Sequence, residues 1–118
     1  MSCADLIGHL FLARDVTHSV HLNTRSYAKH KALGKFYEDV IGMADDLAEA
    51  YQGRHGLIGP ITLHSAEKTG TVVEFLEDSL KKIEKGREEF GDDMAIQNIV
   101  DEIVGLYLKT LYKLKFLA

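Results

Sequence analysis

Apolar residues recur along this chain at helical spacing, and turn chemistry cuts the recurrence into four stretches. Leu6, Ile7, Leu10, Phe11 and Leu22 set the first, which predicts a helix over 4–22. Asn23, Thr24 and Ser26 then supply turn or N-cap groups. Leu33, Tyr37, Val40, Ala44, Leu47 and Tyr51 alternate steps of four and three over 27–52, the seam of a helix packed on another. Gly53, Gly56, Gly59 and Pro60 break the pattern and predict one long loop. Thr71 and Glu74 stand at capping-box spacing and open a third helix, 71–90, which Gly91 ends. Asp92 and Asp93 place negative charge at the start of a fourth, 93–117, carrying Ile96, Ile99, Val100, Ile103, Leu106, Tyr107, Leu111 and Leu114. No proline falls inside these stretches, and no segment alternates like a strand. The expected fold is all-α: an antiparallel four-helix bundle filling 1–118 as one domain. Short links between neighbours favour up-down-up-down order, with the glycine loop making the longer middle crossing.

Composition narrows the class. A chain of 118 residues, 46% apolar and 27% charged, has the balance of a globule with its own core and not of a disordered tail. One cysteine, Cys3, excludes an internal disulfide framework and suits a reducing compartment. The apolar run Leu6 to Ala13 is too short to span a bilayer and lacks a basic leader, so neither a signal peptide nor a membrane anchor is expected. A net charge of -4 argues against strong nucleic-acid binding. Lys109, Lys113 and Lys115 sit where cations complement a helix C-terminus.

Candidate chemistry lies where polar groups interrupt apolar faces. His18, His21 and His30 fall within thirteen residues. On a helical wheel His18 lies within the stripe of Ile7, Phe11 and Leu22, with His21 on its flank. His30, Asp45 and Glu49 lie along one edge of the second helix, the two carboxylates one turn apart. Imidazoles facing paired carboxylates form a mixed nitrogen and oxygen donor set suited to iron, manganese or zinc. Each residue also has a bland reading: a satisfied core histidine, or a solvated acidic pair.

From His18 to Arg54 the chain resembles the core of the Dps mini-ferritins, the DNA-binding proteins from starved cells. His21, Leu22 and Asn23 match their H-W-N element in two of three positions. His30 matches the second histidine, and Asp45, Asp46, Leu47, Ala48 and Glu49 match the D-x-x-A-E element, with the family's fifteen-residue step from His30 to Asp45. Leu111 to Leu117 resembles the end of the family's last bundle helix. The phrases SYAKHKALGKFY and EAYQGR are closer still to short ferritin-like proteins of tailed bacteriophages. The resemblance implies a homodimer or higher homo-oligomer in the cytoplasm of an infected host. Ferrous iron would be oxidised or sequestered at a dimer-interface site, with His18 or His21 and His30 from one chain and Asp45 and Glu49 from its mate. His21 keeps the family's sequence context, whereas His18 keeps its twelve-residue interval to His30. Gly34 stands where the family has a further acidic ligand. The family's lysine-rich N-terminal arm and its short extra helix have no counterpart here, so the resemblance does not extend to DNA protection or to a twelve-subunit shell. Two other classes compatible with the sequence are an accessory phage protein that binds a host protein through a helix face and a structural virion protein.

Overall fold

The computed structural model describes residues 1–66 and 70–118. It contains four α-helices, α1 (Cys3–Asn23), α2 (Tyr27–His55), α3 (Val72–Gly86) and α4 (Met94–Phe116), with a 3-10 turn over Arg87–Phe90 and no strand among the described residues. Each helix begins on a side chain that satisfies a free backbone N–H. Ser2 caps α1 in a reciprocal box with Asp5, Ser26 caps α2 by accepting from the Lys29 N–H, and Asp93 caps α4. At α3 the expected box is half made. The Thr71 hydroxyl accepts from the Glu74 N–H, while the Glu74 carboxylate takes the hydroxyl proton and not the backbone N–H of Thr71.

Two boundaries differ from expectation. Gly53 lies inside α2, which runs on to His55 and stops at Gly56, where φ is 87°. Glycine tolerates a helix interior at modest cost, whereas the left-handed backbone at Gly56 favours a residue without Cβ. The third segment is α-helical only to Gly86, then tightens into the 3-10 turn before Gly91 at φ 54°.

The core joins the repeating faces expected of the first, second and fourth helices to Phe36 and to an apolar face of α3 that the sequence analysis did not single out. Leu6, Ile7 and Leu10 of α1, Leu33, Phe36, Val40 and Leu47 of α2, Leu76 and Ile83 of α3, and Ile96, Val100, Ile103 and Tyr107 of α4 are all buried. Phe36 meets the Tyr107 ring edge-on at 5.0 Å. The Tyr107 hydroxyl is 2.8 Å from the Ser79 hydroxyl, so this buried polar group has a partner, and burial raises its pKa. Leu22, expected on the first apolar stripe, is exposed at the end of α1.

The order of neighbours is not the one expected. α2 packs on α1 and α4, and α3 packs on α1 and α4; α2 and α3, consecutive in the chain, share no substantial contact. The segment after α2 lies against α1 on its way to α3. A Cβ at Gly8 would lie 2.5 Å from the Thr62 carbonyl oxygen, and His64 stacks on His9 with ring centres 4.6 Å apart. Ion pairs Arg54–Asp93, Arg87–Asp101 and Lys115–Glu77 link helices along the surface.

Candidate functional site

The corner between α1 and α2 gathers the three candidate histidines. A three-residue link, Thr24 to Ser26, turns the chain so that the last turn of α1 meets the first turn of α2. There His21 and His30 stack face to face, centres 3.8 Å apart and planes within 16°. Each ring also donates to the other residue's backbone: His21 Nδ1 to the His30 carbonyl at 2.6 Å, and His30 Nδ1 to the His21 carbonyl at 2.8 Å. A carbonyl only accepts, so both Nδ1 atoms carry a proton, and the tautomer compatible with these bonds in a neutral ring has its lone pair on Nε2. Neither Nε2 has a hydrogen-bond partner among the described residues.

Around this pair the rings continue. His18 stacks on Tyr37 at 4.1 Å and within 6°, Tyr37 tilts against His21 at 5.2 Å, and Tyr27 stands 6.5 Å beyond His30. Gly34 is part of the same packing, because a Cβ there would come within 2.9 Å of His21 Cε1. The absence of a side chain at Gly34 therefore makes room for the stacked ring. His21 and His30 line an open cavity of about 720 Å³ together with Tyr27, Lys31, Tyr37 and Lys113.

Asp45 and Glu49 are elsewhere. The fifteen residues from His30 to Asp45 correspond to roughly 22 Å along α2. Both carboxylates, and Asp46 beside them, are exposed. No group of three or more His, Cys, Asp or Glu side chains among the described residues is placed to hold a metal ion. Within one chain, then, the expected residues form two separate patches, a histidine corner and an acidic one. The stacked rings hold their lone pairs in two nearly parallel planes, so they do not form a ready chelate by themselves.

Sequence reading found the histidines but not the lock between them, since a nine-residue interval says nothing of a reciprocal bond across a turn. It also passed over His9 and His64, which the segment after α2 brings together. Cys3 is buried, and burial, with Glu89 nearby, pushes its thiol up to about 11. It is an inert core group, not a nucleophile. No helix among the described residues is long and apolar enough to cross a membrane.

Comparison with known proteins gives a family without an assigned activity. The chain is 28% identical over 115 residues to an uncharacterized 14.6 kDa protein of the mobD-ri intergenic region of Enterobacteria phage T4, covering 93% of this chain and 85% of that one. That likeness supports the phage character of the chain. No solved structure matches it. Residues 21–114, most of the chain and all of the helices from the His21 lock onward, match a family of unknown function, DUF5856, and the chain belongs to that family.

Proposed function

We propose that this chain is the subunit of a ferritin-like, Dps-like homodimer that oxidises or sequesters ferrous iron at sites shared between subunits. His18 or His21, with His30, would come from one chain, and Asp45 with Glu49 from its mate. The observation that carries the reading is the reciprocal His21–His30 lock. Histidines that bind metals characteristically donate one ring N–H to a carbonyl or carboxylate, which sets the tautomer and frees the other nitrogen. Here both rings are held that way beside an open cavity.

An antiparallel, ferritin-like arrangement is supported by the sense of the packed pairs. His18 meets Tyr37 while His21 meets His30; Phe36 meets Tyr107 while Arg54 meets Asp93; Glu77 meets Lys115 while Arg87 meets Asp101. A Cβ on Gly86 would touch Leu6, while Phe75 and Leu12 line one cavity. In each pair one residue number rises as the other falls. The order is thus up-down-down-up, and one long connection between two helices of the same sense is the ferritin-like connectivity.

The dimer is supported by the exposed charges of α2. Lys31 and Lys35 stand on one face of its first half, and Asp45 and Glu49 on the same face of its second. Two such helices laid antiparallel about an axis near Glu38 would set Lys31 opposite the partner's Asp45 and bring His30 beside the partner's carboxylates, while the two Glu38 side chains meet at the axis and oppose the pairing. Neutral imidazole and carboxylate suit Fe(II), and also Zn(II) or Mn(II). The carboxylate charge favours Fe(III) as product. Each Fe(II) gives up one electron, and two electrons with two protons reduce one peroxide to two waters, dioxygen being the other oxidant this chemistry admits.

The test compares His30→Ala, and Asp45→Asn with Glu49→Gln, with the parent for metal binding and ferrous oxidation. The carboxylate pair is exposed, so its variant keeps the fold even if loss of the His30 lock does not. Loss of both activities in the folded carboxylate variant is the expected result. A parent that binds no metal at neutral pH, or variants that oxidise iron as fast as the parent, would exclude the iron reading. One observation favours a second reading: Asp45, Asp46 and Glu49 are in solvent in the single chain. A folded, metal-free protein would select that reading, an accessory or structural phage protein that binds a host or virion protein.

A further inference from the structure

The outer face of α4 carries an unusual amount of bare apolar surface. Met94 is 66% exposed, Leu108 54%, Tyr112 55%, Phe116 74% and Leu117 47%. Met94, Asn98, Asp101, Gly105, Leu108 and Tyr112 follow steps of four and three, so they form one stripe along the helix, with Phe116 one turn beyond. The Tyr112 and Phe116 rings lie side by side, 6.0 Å apart, at its C-terminal end. The stripe is apolar at its two ends, Met94 at one and Leu108, Tyr112 and Phe116 at the other, with Asn98 and Asp101 between; exposed apolar surface grouped like this marks a contact surface.

The stripe is arranged symmetrically about Gly105. Met94 and Phe116 lie eleven residues to either side of it, and Asn98 and Tyr112 seven. A Cβ on Gly105 would meet nothing within 4 Å, so packing inside the chain does not require the glycine, and another helix could approach closely there. One pair of opposite charges brackets the same point. Asp101 is bonded to Arg87 and Lys115 to Glu77, but Glu102 and Lys109 have no ion-pair partner among the described residues. These two are seven residues apart, hence on the same flank, and they bracket Gly105.

We infer that α4 docks on α4 of a second copy of this chain, antiparallel, about a twofold axis at Gly105. Like flanks face each other in such a pair, so Glu102 of each copy meets Lys109 of the other. Met94 of each packs on Phe116 of the other, and Asn98 on Tyr112. The apolar ends of the face and the Glu102 and Lys109 side chains, unpaired among the described residues, all bracket one residue, so a second copy of the same face answers both. A self-complementary patch is what an isologous contact demands. The interface is separate from the α2 pairing and does not depend on metal.

Sedimentation equilibrium of Glu102→Lys and of the swap Glu102→Lys with Lys109→Glu tests it. The single reversal sets lysine against lysine twice and weakens self-association by about tenfold or more, and the swap restores it. Both positions are exposed on a helix, so the fold is kept, and circular dichroism confirms it. A Gly105→Cys chain should link to itself on mild oxidation, whereas the parent, whose Cys3 is buried, should not. Glu38→Cys reads the α2 pairing independently. The α4 contact is overturned by a parent that stays monomeric at about 100 μM, a range in which specific homodimers associate. It is equally overturned if the reversal leaves association unchanged, if the swap fails to restore it, if Gly105→Cys fails to link, or if the chain binds only a different protein.

Discussion

At the scale of single residues, the histidine corner depends on what is missing from Gly34. Adding a methyl group there puts a carbon 2.9 Å from His21 Cε1 and 3.2 Å from Nδ1, and the ring is held by both a stack and a hydrogen bond. Gly34→Ala gains helix propensity of about 0.8–1 kcal/mol but displaces the ring, loosening a part-buried bond worth about 1 kcal/mol and the stack with it. The net is a loss of stability, on the order of 1 kcal/mol. Gly53→Ala is the control: its Cβ would meet nothing within 4 Å on the exposed end of α2, so the propensity gain stands alone. Urea denaturation should shift the two midpoints in opposite directions. A Gly34→Ala chain as stable as Gly53→Ala would show that the His21 ring yields freely. The presence of His18, His21 and His30 near one turn was legible from spacing. Their geometry was not, because stacking depends on a glycine thirteen residues along the chain from His21.

Among the elements, the helices were the most legible part and their neighbours the least. Helical periodicity shows in Leu33 to Tyr51 without any partner in view, and the caps at Thr71 and Asp93 are local chemistry. Which helix packs on which goes with contacts made outside the helices: Thr62 and His64 lie against α1 at Gly8 and His9, contacts no periodicity records. The His9–His64 stack gives this contact a pH dependence. Burial, then His64 and Lys82, hold the His9 pKa below 6.5, against the opposing pull of Asp5. A histidine depressed on folding takes up its proton more readily in the unfolded chain. Its contribution is therefore complete above pH 6.5 and lost as the pH falls from there toward the lowered folded value. Thermal midpoints measured at successive pH values should fall more steeply below pH 6.5 for the parent than for His9→Gln. Equal slopes would mean that the contact is fastened by Gly8 and Thr62 alone.

In the whole molecule, the question is whether the two patches of α2 ever meet. One chain holds its imidazoles and its carboxylates roughly 22 Å apart, so no single subunit can close both on one ion. Sequence patterning could place His30, Asp45 and Glu49 on one edge of α2 without revealing that distance to be prohibitive, since a face is legible from a wheel and an assembly is not. If the shared site exists, metal binding and dimer formation through α2 are one equilibrium. An ion that binds the dimer and not the monomer must tighten the dimer, by RT ln(1 + [L]/Kd) for each site. Reciprocity then requires that protein dilution weaken metal binding by the same coupling. Sedimentation equilibrium with Zn(II), which brings no redox chemistry, should show a tighter dimer than the same protein in chelator. At a free ion concentration of about 100 Kd, each site contributes about 2.7 kcal/mol, a shift of roughly a hundredfold. The carboxylate variant Asp45→Asn with Glu49→Gln should lose that dependence while keeping the association through α4, which uses neither residue. If Zn(II) binds the parent and leaves its association unchanged, the ion is held within one chain. The shared site is then wrong even though metal binding is right.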